Sequence, residues 1–237
     1  MAPTAPQTAS SAPLAPNPVV PHFGGVPSFL LPLEAQPLVE ENYYRGQARV
    51  SLAGYCRRVV LPPEQAPALH HLMICSAIDD LLADRYDELI ILAPPGSAKS
   101  TYTSIGLSAY FMGRWPAKHI LTASHTLDLA EKWGRRVRGI VDSAEHSLVF
   151  DGSRLSRESA AAGRWGTTAG GEFYAAGVGG SILGFRADLG VIDDPLASFE
   201  QAQSDTQLAK MRDWYENDFI TRMKPGAKVV LICQRLA

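Results

Sequence analysis

An apolar run, Glu88-Leu-Ile-Ile-Leu-Ala93, broken at once by Pro94-Pro95-Gly96 and continued by Ser97-Ala98-Lys99-Ser100-Thr101, constrains this chain more than any other feature. A short apolar run between breakers reads as a buried strand, and the pattern from Thr101 to Met112 reads as a helix. A loop between strand and helix can aim backbone N–H groups and the helix N-terminus at a phosphate. In that reading Gly96, Ser97, Ala98, Lys99, Ser100 and Thr101 form the cradle; Lys99 neutralises the β and γ oxygens and the Ser100 hydroxyl ligates Mg²⁺. Ala93 and Ala98 occupy the two positions where the strict pattern has glycine, which leaves Gly96 inside the loop. An alanine forced to φ > 0 at position 98 would be strained by about 1 to 2 kcal/mol. The competing reading is a Gly/Pro turn that happens to precede Lys-Ser.

A second apolar run, Leu189-Gly-Val-Ile192, ends in Asp193-Asp194-Pro195. Hydrolysis of a nucleotide needs an acid at the tip of a neighbouring strand: Asp193 to hold Mg²⁺ through water, and Asp194 to orient or deprotonate the attacking water. Either aspartate could instead cap the turn before Pro195. Further strands are expected at Lys118–Ala123 and Lys228–Cys233. Helices are expected at Leu69–Leu82, with Leu72, Cys75 and Leu82 on the inner face, at Leu127–Val141, with Leu127, Ala130 and Val137 inward, and from Ser204, whose Ser-Asp-Thr-Gln spacing suits a capping box. Pro225-Gly226 is expected to stop that last helix. Arg164–Thr168 and Glu172–Ala176 around Ala169-Gly170-Gly171 read as a hairpin. Strands alternating with helices imply an α/β fold with a mainly parallel central sheet flanked by helices.

Residues 1 to 33 carry no charged side chain and are rich in Pro, Ala and Ser, so 1–39 is expected to be a disordered arm and 40–237 the folded domain. The 22 Lys and Arg are balanced by 24 Asp and Glu, so any nucleic-acid contact must come from a local patch. Three widely spaced cysteines, with no Cys-x-x-Cys, fit a reducing compartment. No run is long enough to span a bilayer, and no secretory leader is seen, so a cytoplasmic location is expected.

With those residues in hand, the chain resembles the ATPase domain of the large terminase subunit of tailed bacteriophages, from about Leu69 onward. The resemblance is carried by Leu-Ala-Pro-Pro-Gly-Ser-Ala-Lys-Ser, Ile120-Leu-Thr-Ala-Ser-His125, Gly177-Val-Gly-Gly180 with Gly184-Phe-Arg-Ala-Asp188, Val-Ile-Asp-Asp-Pro195, Trp214 with Thr221-Arg-Met-Lys-Pro-Gly-Ala227, and Val229-Val-Leu-Ile-Cys-Gln-Arg235, in that order. It implies a P-loop NTPase fold of the RecA/ASCE type that binds ATP and Mg²⁺. Lys99 would be the phosphate lysine, Ser100 and Asp193 the metal residues, and Asp194 the catalytic acid, one methylene shorter than the usual glutamate. Gln234-Arg235 would stand at the coupling motif, with Gln in place of the commoner Thr. Arg186, with Arg164 behind it, would be the arginine completing a neighbour's site in a homo-oligomeric ring. The implied partners are viral double-stranded DNA, the small terminase subunit and the portal of the procapsid, in the bacterial host cytoplasm, with no membrane partner. A full-length relative continues into a nuclease domain, so nuclease activity is not expected from this chain, and its sheet is expected to lack an edge.

Two other readings accompany this one. A superfamily 2 helicase-like ATPase would need motifs in a second lobe, for which there is no room after Val229. An inactive remnant that only binds nucleotide, DNA or partner subunits would fit the loop alanines. Lys132, Arg135, Arg136 and Arg138 invite a DNA-contact reading, but Asp128 and Glu131 stand four residues before Lys132 and Arg135, which favours a solvated ion-paired face. His70, His71, Trp133 and Trp214 read as packing or surface residues.

Overall fold

A computed structural model describes residues 22–23, 26–27, 31–161 and 163–234. The expected disordered arm lies largely outside them. Within 1–43, His22–Phe23 (β1) and Val26–Pro27 (β2) form a two-residue antiparallel ladder. Helix α1 runs over Gln36–Val50, through the boundary expected at residue 40.

Seven strands build the sheet of the second compact unit, Tyr44–Ala237. They are β3 (Glu88–Leu92), β4 (His119–Ser124), β5 (Leu155–Ala160), β6 (Arg164–Thr167), β7 (Glu172–Gly177), β8 (Ala187–Asp193) and β9 (Met223–Cys233), in the spatial order β3-β9-β8-β4-β7-β6-β5. The first five in that order are parallel, and β6 and β5 add antiparallel pairs at one edge. The expected α/β architecture and the β6–β7 hairpin are therefore both present. At the other edge, Ile90 and Leu92 of β3 remain 64% and 66% exposed.

Alternating side chains send each central strand's residues into two separate cores. Ile120, Val191, Val230 and Ile232 enter one, together with Leu52 and Tyr55 of α2 (Leu52–Tyr55), Cys75, Ile78 and Leu81 of α3 (Leu69–Leu82) and Ala130, Val137 and Val141 of α5 (Leu127–Val141). Leu121, Ala123, Ile192 and Val229 enter the other, with Trp214 and Phe219. Burial on both faces explains why these strands read as continuous apolar runs. On α3 and α5 the buried stripe is slightly rotated from expectation: Leu72 and Leu127 are 42% and 47% exposed, and Leu81 is buried. Thr126 caps α5 by accepting the Leu129 N–H at 3.3 Å, and Ser204 caps the helix at Asp205–Trp214 by accepting that of Gln207.

Pro225-Gly226 does not end that helix. It lies inside β9, where the ladder with β8 slips between the Ala187–Met223 and Leu189–Lys228 pairs. Gly226, at φ 73°, supplies the left-handed turn that a bulge requires, and Pro225 lacks its N–H where no ladder bond is needed. The helix has already closed through a π turn at Tyr215–Phe219 and a short 3₁₀ turn.

Candidate active site

Parallel pairing aligns the C-terminal tips of four strands. Leu92 is opposite Cys233, Asp193 is opposite Ile232, and Ser124 is opposite Asp193. The loop leaving β3 therefore meets the two aspartates leaving β8, the crevice in which open α/β sheets bind ligands.

The loop turns through two left-handed residues, Gly96 at φ 76° and Ala98 at φ 55°. Ala98 thus adopts the conformation that the glycine pattern ordinarily serves, with the strain expected for an alanine. A helix opens directly after it, with the Thr101 N–H bonded to the Ala98 carbonyl at 2.9 Å. The next turns, Thr101–Leu107, are π-helical and continue into α4 (Ser108–Arg114). The Ser97 carbonyl accepts from His71 Nε2 at 2.9 Å, while His71 Nδ1 accepts the Ala68 N–H at 3.0 Å. That pair of bonds requires the neutral imidazole with its proton on Nε2, and burial holds the His71 pKa below its ordinary value. His71 also stacks on Tyr102 at 4.3 Å between ring centres. A residue that read as packing is thus a clamp between α3 and the loop.

Lys99 is 7% exposed. Its Nζ lies 2.9 Å from Asp194 Oδ2. Asp194 has φ 45°, and its Oδ1 accepts the Gln234 N–H at 3.0 Å. Left-handed backbone turns Asp194 back over the strand tips, a conformation aspartate tolerates better than most residues. Arg235, the second residue of the expected coupling motif, lies outside the described residues.

Asp193 is 1% exposed. Its Oδ2 accepts from Ser104 Oγ at 2.6 Å, and the Ser100 hydroxyl is near enough to favour the ionised carboxylate. Its Oδ1 is buried without a partner among the described residues. Burial raises its pKa, the two serine hydroxyls oppose that shift, and Asp194 and Lys99 act in opposite directions. A carboxylate oxygen in this condition is suited to a cation or a cation-bound water. The donor set of Ser100 and Asp193 is of the hard-oxygen kind that Mg²⁺ takes. Ser124 Oγ donates to the Asp193 carbonyl at 2.8 Å, tying the tip of β4 to that of β8. Burial and the two carboxylates push the Cys233 thiol up to about 11, so it stays protonated at neutral pH.

Of the residues expected at the site, Lys99, Ser100, Asp193, Asp194 and Gln234 gather at these tips. Arg186 does not. It precedes β8 at the opposite end of the sheet, exposed, with its carbonyl 3.0 Å from His119 Nδ1. The seven residues of β8 separate it from Asp194, about 20 Å of strand, so within one chain it cannot reach the site. Arg164 is engaged with Glu172 and lies against Tyr174 and Phe185. On α5, Glu131 pairs with Arg135 at 3.6 Å, and Lys132 lies over Trp133. Trp214 is a packing residue, as expected, with its indole N–H bonded to the Gly180 carbonyl. Ser104 was not singled out by the sequence; the available signal was its position one helical turn after Ser100.

No protein-family model matches the chain, and no curated protein matches it. Among solved structures it is similar to the large terminase of bacteriophage HK97, at 14% identity and a TM-score of 0.51, over 77% of this chain and 36% of that one. It is also similar to the large terminase ATPase domain of Thermus phage P74-26, at 16% identity and a TM-score of 0.47, over 70% of this chain and 64% of that one. The large terminase of a thermophilic bacteriophage, in complex with ADP, matches at 14% identity and a TM-score of 0.40, over 80% of this chain and 38% of that one. The chain spans about a third of the HK97 protein's length, and that likeness establishes the fold, an α/β domain with a mainly parallel sheet. Among the described residues no helix is long and apolar enough to cross a membrane.

Proposed function

We propose that this chain is the ATPase of a phage DNA-packaging terminase motor, coupling Mg·ATP hydrolysis to movement of viral double-stranded DNA into a procapsid. One observation carries the proposal. A left-handed phosphate-type loop brings a nearly buried lysine to 2.9 Å from an aspartate at the tip of a parallel strand, beside a second aspartate with an orphaned buried oxygen. The likeness in fold to the HK97 large terminase directs the reading to packaging and away from other nucleotide hydrolases.

In the proposed mechanism the backbone of Gly96 to Thr101 surrounds the phosphates, and Lys99 leaves Asp194 to neutralise them. Ser100 and Asp193 hold Mg²⁺, which when bound supplies charge neutralisation at the phosphoryl oxygens. Release of Lys99 frees Asp194 Oδ2 to accept the proton of the attacking water, while Gln234 N–H continues to hold Oδ1 in place. That shared bond joins the acid to the end of β9, and the coupling of hydrolysis to motion is assigned to this junction. The small terminase subunit, the portal and a homo-oligomeric ring are the proposed partners, and the bacterial host cytoplasm the proposed location. Arg186 keeps a proposed catalytic role only as an arginine offered to a neighbouring subunit.

The test is ATP hydrolysis by the purified chain with DNA and its small-subunit partner. Lys99→Ala should abolish turnover. An unchanged rate in the variant overturns the assignment, and nucleotide binding without turnover in the parent identifies an inactive remnant.

A further inference from the structure

Ser104 lies in the π-helical stretch after the loop, fully buried, 2.6 Å from Asp193 Oδ2. It is one helical turn beyond Ser100, so both hydroxyls fall on the face that meets β8. Their fates differ under the function proposed above. The Ser100 hydroxyl turns to the metal when the nucleotide is loaded, which leaves Ser104 as the donor holding Asp193 Oδ2. With Oδ2 engaged by Ser104, the oxygen left to accept a further donor is Oδ1, which is buried without a partner among the described residues. We propose that Ser104 is a positioning residue that fixes the Asp193 carboxylate so that Oδ1 receives the metal's hydration shell. The proposal rests on the nucleotide-hydrolase reading of the site.

The π-helical turn supports it. A π turn widens the helix by one residue and recurs at functional sites. Thr103 Oγ1 bonds back to the Lys99 carbonyl of its own helix at 2.8 Å. Ser104, by contrast, spends its hydroxyl on another element 89 residues away.

The experiment titrates full-length protein with a fluorescent ATP analogue, in excess EDTA and then with increasing Mg²⁺, for the parent, Ser104→Ala and Ser104→Thr. The metal-free affinity should be the same in all three, since Lys99 and the loop are untouched. The Mg²⁺ needed for half-maximal gain in affinity should rise about tenfold in Ser104→Ala and return toward the parent in Ser104→Thr. A Ser104→Ala protein with the parent's Mg²⁺ midpoint overturns the positioning role alone. A parent that binds no nucleotide overturns the hydrolase reading and this proposal together.

A second feature is independent of the nucleotide site. At the opposite edge of the sheet, six strands from β3, a cavity of about 650 Å³ is lined by Arg138, Arg154 and Arg157 with Ser147 and Ser156, and Asp142 is the one carboxylate among the described residues that line it. The ladder between β5 and β6 is irregular between Leu155 and Ala160, the stretch that forms one wall. The Arg154 and Arg157 guanidinium groups at one concavity match phosphate oxygens, which arginine binds through paired N–H donors. We infer that this cavity binds phosphate groups, either of a nucleic-acid backbone or of a small phosphate anion. The test is anisotropy of a labelled DNA duplex and, separately, calorimetry with tripolyphosphate, on the parent and on Arg154→Ala/Arg157→Ala. A backbone site predicts about tenfold weaker duplex binding and a log–log salt slope shallower by about 2. A small-anion site predicts loss of tripolyphosphate binding alone. The same duplex and tripolyphosphate binding in parent and variant overturns the inference.

Discussion

Asp194→Asn should tighten nucleotide binding and abolish turnover in the same protein. The Lys99–Asp194 pair, at 2.9 Å and with side chains 8% and 24% exposed, must open before Lys99 can meet a phosphate. At an effective dielectric near 20 its gross attraction is about 6 kcal/mol. Most of that is offset by the desolvation both groups already suffer, leaving a net of about 1 to 2 kcal/mol that competes with the nucleotide. Asparagine removes the competitor, keeps an oxygen for the Gln234 N–H, and tolerates φ 45°. Affinity for an ATP analogue should therefore rise roughly 5- to 30-fold, while loss of the base should lower kcat by a factor of about 10² to 10⁴. Fluorescence titration and a phosphate-release assay measure the two numbers independently. Weaker binding in the variant, or a kcat near the parent's, would refute both the competition and the role given to Asp194.

Three further expectations concern stability. Ala98→Gly removes about 1 to 2 kcal/mol of left-handed strain at φ 55° and loses roughly 0.4 to 1 to unfolded-chain entropy. Tm should rise by about 1 to 3 °C, and a fall would show that Ala98 is not strained. Gly106→Ala would place a Cβ 2.6 Å from Cys56 Sγ and 3.0 Å from the Thr101 carbonyl, so denaturant unfolding should report a loss of about 1 to 3 kcal/mol; parent-like stability would mean that this contact can relax. Burial holds the His146 pKa at about 4, with Nδ1 2.6 Å from the Tyr55 hydroxyl. Because the unfolded imidazole binds its proton near pH 6.5, this group's stabilisation is complete above that pH and declines as pH falls toward 4, by about 3 kcal/mol. Asp79, raised by burial to about 6, acts in the opposite sense, so the measurement is the difference between the parent and His146→Phe in urea melts from pH 7 to 4.5. A difference that does not change with pH would contradict the assignment.

The sequence made the fold legible where burial is two-sided. β4, β8 and β9 announce themselves as apolar runs because both faces are covered, and α3 and α5 because one stripe is; β3 reads as an apolar run as well, although Ile90 and Leu92 leave one of its faces exposed. β5, Leu-Ser-Arg-Glu-Ser-Ala, gives no such signal, since an edge strand can keep polar side chains in water. Pro225-Gly226 misled because the same dipeptide serves a helix stop and a strand bulge, and only the partner strand decides between them. Within the site, Lys99, Ser100, Asp193 and Asp194 were legible as chemistry at strand tips. Ser104 and His71 were not, because their importance lies in a partner 89 residues away for one and a backbone carbonyl 26 residues away for the other.

Ala98 shows why a missing glycine did not hide the loop. Glycine patterns stand for a requirement on φ and on close backbone approach, and the requirement can be met by another small residue at a definite strain. Here the surroundings over-determine the conformation: the Ser97 carbonyl is clamped by His71, the Thr101 N–H is bonded to the Ala98 carbonyl, and Lys99 is anchored on Asp194. Each of these contacts joins the loop to a different element, α3, the following helix and β8. A strained alanine in an isolated turn would relax, whereas relaxation here would have to break three contacts at once. The loop is therefore set before any ligand arrives, and the ion pair of Lys99 with Asp194 is the part of it that a phosphate must exchange.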